Sequence, residues 1–231
     1  KVTVSVKRRG VAQLIKFTIV RDIIPVKSVD VAYMVEPKVG YIKISKFARD
    51  TYKEFSDAIN KLHNQGMKKV IIDLRGNTGG YLDQAVEIVN EFLPENTLIV
   101  YTQGKARPRQ NLYSDSRGSA KNDEVVVLID EESASASEIV AGAIQDNDRG
   151  TIIGRRSFGK GLVQEQASLT DGSALRLTVA RYYTPTGRSI QKPYKLGDGA
   201  DYYMDISNRY IHGEMNNIDS IKQNTKLRYK T

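Results

Sequence analysis

VGYIKISKFARDTYKEFSDAINKLHNQGMKKVIIDL, residues 39–74, is the stretch that decides the fold class. VGYIKIS (39–45) reads as a strand. DTYKEFSDAINKLHNQG (50–66) sets Tyr52, Phe55, Ile59 and Leu62 on one helical face, and Gly66 stops the helix. KVIIDL (69–74) is a short β-branched run of the kind a buried strand carries. The same alternation continues downstream. A Gly-rich loop, RGNTGG (75–80), leads into a helix with the stripe Leu82, Val86, Val89 and Leu93, ended by Pro94. TLIVYT (97–102) and EVVVLID (124–130) are strand-like, SASASEIVAGAIQD (133–146) is small and helical, and TIIG (151–154), GLVQEQ (161–166) and ALRLTVARYY (174–183) follow. Strand–helix alternation predicts an α/β domain with a largely parallel central sheet.

The flanks read differently. KVTVSVKRRG (1–10) alternates Val2, Val4 and Val6 with polar residues, turns near Gly10, and is followed by LIKFTIV (14–20) and Pro25, as in a hairpin with a linker behind it. Two strands do not make a stable domain alone, so residues 1–25 are expected to be an edge of the main sheet or the remnant of something larger. GKARPRQNLYSDSRGSAKND (104–123) is polar and basic and reads as a mobile surface loop. Residues 195–231 are polar and Tyr-rich with helical patches.

Composition narrows the chemistry. The 231 residues are 40% hydrophobic and 27% charged, which excludes a disordered or collagen-like chain. The absence of cysteine removes disulfides, zinc–thiolate sites and thiol catalysis, and two histidines, His63 and His212, are too few for a multi-histidine metal site. No cofactor and no metal are expected. A net charge of +8 favours anionic contacts without specifying a fold. No apolar run reaches the roughly 18 residues of a membrane span. With Lys1 first and no signal peptide, the chain is expected to be a processed or excised piece.

In an open α/β sheet, sites lie at the carboxyl ends of strands. RGNTGG follows one such strand and EESASAS (131–137) another. The Gly-rich loop frees backbone N–H groups for an anion or oxyanion, and it also reads as a plain tight turn. Ser135 stands at a helix start, with the N–H of Ala136 beside it. Ser135-Ala-Ser-Glu138 is equally a capping box, so local sequence alone leaves Ser135 as cap or nucleophile. A nucleophilic serine needs a base. Both histidines read as surface residues remote from the two loops, which leaves lysine. Lys160 lies between Gly159 and Gly161 in SFGKGLVQ (157–164), where two glycines let the backbone approach another element. A solvated turn lysine is the plainer reading. A third is a phosphate-binding loop: Gly154-Arg-Arg-Ser-Phe-Gly159-Lys160 matches its first seven positions, but Gly161 replaces the Ser/Thr of the eighth and a strand follows instead of a helix.

Taken together, RGNTGG, SASASEIVAGAIQD, GRRSFGKGLVQ and LRLTVARYYTPTGRSIQ, in that order over residues 30–191, resemble the carboxyl-terminal processing (tail-specific) proteases, a family of Ser-Lys endopeptidases. The resemblance implies a crotonase/ClpP-like α/β core over 26–194, preceded by the last two strands of a PDZ domain in 1–25. It implies that 195–231 is an extension or insertion. By position it makes Ser135 the nucleophile, Lys160 (25 residues on) the general base, and Gln164 the polar residue that orients the lysine. Ala136 and Gly79 or Gly80 become the oxyanion-hole donors. Burial beside Gln164 is expected to favour the neutral amine of Lys160. The implied substrates are protein or peptide C-termini, the implied setting is the periplasm or cell envelope, and a homo-oligomer or adaptor is a possible partner. A catalytically inactive or latent peptide-binding member is the alternative. A basic nucleic-acid binder using Lys7, Arg8, Arg9 and residues 105–109 finds no supporting motif.

Overall fold

The computed structural model describes residues 1–22, 27–194, 197 and 199–217. A five-stranded sheet in the order β3-β4-β5-β8-β9 forms its centre. β3 (Val29–Glu36) is an antiparallel edge on β4 (Val39–Ile44), and β4, β5 (Lys69–Asp73), β8 (Glu124–Ile129) and β9 (Gly150–Gly154) run parallel. The expected parallel sheet is therefore present. Helices α1 (Thr51–Asn64), α2 (Leu82–Asn90) and α3 (Ala136–Asp146) pack over it and against one another.

The period-two pattern explains why β4 lies as it does. Gly40, Ile42 and Ile44 are buried while Tyr41 and Lys43 are half-buried. A Cβ on Gly40 would sit 2.4 Å from Met67 Sδ and 2.9 Å from Leu62 Cδ1, so a side chain here would have to displace both. The core closes on Phe55, Ile59 and Leu62 from α1, Ile88 and Val89 from α2, and Ile139 and Ile144 from α3. Phe55 and Phe92 meet edge to face with centroids 6.2 Å apart.

A second sheet, entirely antiparallel, runs β10-β11-β6-β7. Its strands are β6 (Leu98–Gln103), β7 (Gln110–Tyr113), β10 (Leu162–Ser168) and β11 (Ala174–Tyr183). TLIVYT thus leaves the parallel array, which periodicity does not reveal, because a strand's pattern does not name its partner. The mobile loop expected at 104–123 is also corrected. It contains β7, and its remainder is pinned by distant groups. Asn90 Nδ2 donates to Asp115 Oδ1 (2.8 Å), and Ser119 N–H and Oγ donate to Glu91 Oε2 (2.6 and 2.8 Å). The Arg149 guanidinium donates to the carbonyls of Phe92, Ala120, Lys121 and Asp123.

At the amino end, β1 (Val2–Val6) and β2 (Ile15–Ile19) form the expected hairpin, with Val2 opposite Ile19. It pairs with no strand of either larger sheet, so it is not an edge of the main one. A final helix, α4 (Gly199–Ile211), carries one of the helical patches expected in the polar tail. Residues 218–231 lie outside the described residues.

Candidate active site

β5 and β8 are adjacent and parallel, so the loops leaving their carboxyl ends, RGNTGG and EESASAS, lie side by side. Backbone and serine hydroxyls weld them together. Ser133 Oγ donates to Leu74 O (2.9 Å), Ala134 N–H to Asn77 O (3.0 Å) and Ser137 Oγ to Asn77 O (2.9 Å). Ser133 and Ser137 are fully buried in these bonds. Ser135 alone of the three is half-open to solvent. Its backbone has φ 56° and ψ −111°, outside the extended conformation of an ordinary N-cap. A non-glycine residue at positive φ costs about 1–3 kcal/mol and persists only where its surroundings impose it.

Two glycines shape the space in front of Ser135. Gly79, at φ 99°, is pressed so close that a Cβ would lie 2.7 Å from Ala134 O and from Ser135 Cβ, and 3.0 Å from Ala136 N. Its N–H is already engaged, donating to Asn77 Oδ1 (2.8 Å), while Asn77 Nδ2 donates to Ile44 O (2.9 Å). Gly80, at φ 149°, lies against Phe47, whose carbonyl oxygen a Cβ would approach to 2.0 Å. Among the described residues no acceptor meets the N–H of Gly80, which is solvent-exposed. The N–H of Ala136 opens α3 with the helix dipole behind it.

The third component arrives from the segment between β9 and β10. Glu138, buried to 7% exposure, accepts from Ser157 Oγ (2.7 Å) and Gly159 N–H (2.6 Å) on Oε1. Its Oε2 accepts from Lys160 N–H (2.8 Å) and from Ser135 N–H (2.8 Å). A single carboxylate oxygen thus holds the backbones of Ser135 and Lys160 two hydrogen-bond lengths apart. Burial pushes the Glu138 carboxyl above its ordinary range, against the pull of the four donors. The glycines flanking Lys160 do bring its backbone against another element, residues 190–192. A Cβ on Gly159 would meet Lys192 Cβ at 2.7 Å, and one on Gly161 would meet Gln191 N at 2.4 Å.

The side chains of Lys160 and Gln164 are exposed, so the expected burial of the lysine is not found. The reason is local. β10 and the facing length of β11 carry little over them, and what closes around Lys160 is an open pocket of about 510 Å³. Lys160, Leu162 and Gln164 share one wall of it, with Phe158, Tyr194 and Tyr202 around them. The phosphate-loop reading is overturned, because the amides of Gly159 and Lys160 already hold a carboxylate and β10 follows instead of a helix. His63 is at the opposite end of the sheet, paired through Nε2 with Asp123 (2.5 Å) just before β8, and His212 Nδ1 lies 2.6 Å from Asn208 O. Neither is hydrogen-bonded to Ser135 or Lys160.

Sequence reasoning read Glu138 only as a helix cap and passed over Asp73, which ends β5. Burial alone would raise the Asp73 carboxyl. Hydrogen bonds from Arg75 and Tyr41, with Lys43 nearby, hold it well below the carboxylate range instead. Its ionised form therefore adds stability above the unfolded-state value of about 4, and that stability is lost as pH falls through this range. Asp73→Asn should cost about 1–3 kcal/mol at pH 7 and flatten the acid limb of stability. Urea unfolding at pH 7 and pH 3 measures both, and equal losses at the two pH values would contradict the assignment.

Two loops at the carboxyl ends of adjacent parallel strands, with a half-open serine at positive φ between them, form the candidate site of a mixed α/β fold. Residues 38–199 match the family model described as Peptidase family S41, and the chain belongs to that family. It is 43% identical over 195 residues to a carboxy-terminal-processing protease of Bartonella bacilliformis, covering 82% of this chain and 44% of the relative. It is 39% identical over 197 residues to a carboxyl-terminal-processing protease of Synechocystis sp., covering 83% and 45%. The solved photosystem II D1 C-terminal processing protease superposes with a TM-score of 0.65 at 29% identity, over 82% of this chain and 52% of that one. The chain spans less than half the length of these two curated relatives.

Proposed function

We propose that this chain is the catalytic core of a serine endopeptidase that cleaves protein or peptide substrates near their C-termini. Lys160, as a free amine, takes the proton of Ser135 Oγ as that oxygen attacks the scissile carbonyl carbon. The oxyanion is held by the N–H groups of Ala136 and of Gly80, since the N–H of Gly79 is spent on Asn77. The C–N bond then breaks, the ammonium of Lys160 protonates the leaving amine, and water hydrolyses the acyl-enzyme ester. Gln164 orients the lysine. The observation that carries this reading is the shared bond to Glu138, which supports Ser135 and Lys160 as one site. On the family resemblance, the setting is the periplasm or cell envelope, residues 1–25 are the last strands of a PDZ domain, and 195–231 are an extension or insertion.

A fluorophosphonate should add one covalent label, mapped by mass to Ser135, and peptide cleavage should accompany it. A folded chain that neither labels nor cleaves would favour the latent peptide-binding alternative. Activity should rise with pH along a single limb. His63→Ala and His212→Ala should leave that limb in place, and Gln164→Ala should lower kcat more than it raises KM. Loss of the limb in either histidine variant would mean that histidine is the base.

A further inference from the structure

We infer that α4 is a clamp on the segment that carries Lys160, and that Arg209 is its positioning residue; this rests on Lys160 being the base. α4 does not build core. Tyr203, Met204, Tyr210 and Ile211 are exposed, and Arg209, at 4% exposure, is the one residue of the helix that is buried. A guanidinium is costly to bury unless every part of it is paired. Here Nε donates to Glu214 Oε1 (2.8 Å), Nη1 to Ser157 O (3.2 Å), and Nη2 to Arg156 O. Glu214 in turn takes the Arg156 side chain in a two-pronged bond (2.8 and 2.7 Å). Arg156 is thus gripped at its backbone by Arg209 and at its side chain by Glu214.

A second contact reinforces the first. Lys192 Nζ lies 4.2 Å from the ring centres of both Phe158 and Tyr202, and donates to Asp205 Oδ2 and Tyr202 O (3.1 Å each). Its backbone N–H donates to Gly159 O (3.0 Å). Residues 156, 157, 158 and 159 are therefore each tied to α4 or to Lys192 beneath it, and the next residue is Lys160. This segment has no regular structure of its own. Its tethers on the core side are Glu138, the Ser133 carbonyl that Phe158 N–H reaches (3.0 Å), and Glu131, which takes Arg155. α4 supplies the opposing set.

The rate of fluorophosphonate labelling of Ser135 against pH, measured on the whole chain, tests the clamp. Lys160→Ala should slow labelling about 100-fold or more and lose the pH limb. Arg209→Gln should slow it about tenfold or more with the same flattening, and Arg209→Lys should behave alike, because one ammonium nitrogen cannot reach three acceptors spaced around a guanidinium. A role in folding alone would reduce the amount of chain that labels and leave the rate and pH profile of the rest unchanged. If Arg209→Gln fails to fold, Asp205→Asn, on a half-buried surface position, should slow labelling about threefold. Wild-type rate and pH profile in the folded Arg209 variants, or in Asp205→Asn where those do not fold, would overturn the clamp. Wild-type behaviour of Lys160→Ala would instead overturn the base assignment beneath it.

Discussion

Ser135→Ala should abolish peptide cleavage, by on the order of 10⁴–10⁶-fold, and remove fluorophosphonate labelling, while the folded chain survives. The strained turn at Ser135 leaves its hydroxyl half-open at the start of α3. The neighbouring serines make the informative controls. Ser133 Oγ and Ser137 Oγ are buried and committed to Leu74 O and Asn77 O. Ser133→Ala and Ser137→Ala should therefore lose about 1–3 kcal/mol of stability each and keep their labelling. Label mass and thermal unfolding on the three variants separate chemistry from folding. Equal loss of labelling in a folded Ser133 or Ser137 variant would move the nucleophile.

Lys160→Arg should be as inactive as Lys160→Ala, each falling about 10²–10⁴-fold in turnover. Arginine keeps the charge and cannot release its proton, so it cannot serve as base. The anchor to Glu138 is the backbone N–H of residue 160, which both substitutions leave intact, so the loss should be chemical. Steady-state cleavage with circular dichroism on the same samples decides. An arginine variant above about a tenth of wild-type activity would mean that Lys160 contributes charge and no proton transfer.

The parallel sheet was legible because β4, α1, β5, β8 and α3 each carry a periodicity that one element suffices to express. The second sheet was not, since Leu98–Gln103 reads the same whichever strand it pairs with. Residues 104–123 looked like a loose loop because the groups that tie them down, Asn90, Glu91 and Arg149, sit in other elements. Around the site, Ser135, Ala136 and the two glycines could be picked out from a helix start and a Gly-rich turn. That the N–H of Gly79 is engaged by Asn77 could not be read from the loop's sequence. Glu138 was visible as a cap at the third helical position, but its three contacts with residues 157–160 depend on a tertiary approach. Arg209 stood in a polar tail with no apolar stripe to mark it. Its importance comes from burial, which single-residue chemistry does not announce.

The bond pattern of Glu138 bears on which changes this chain can tolerate over evolutionary time. Four donors from two short stretches, one at Ser135 and the others at Ser157, Gly159 and Lys160, converge on two oxygens. Three of the four are backbone N–H groups, which every residue but proline supplies. These backbone bonds to the carboxylate therefore do not themselves depend on side-chain identity, which other contacts restrict at these positions, but they do depend on the number of residues between them. One insertion between Gly154 and Lys160 would put different amides opposite the carboxylate. The carboxylate thus constrains the length of the connection, beyond what the side chains constrain.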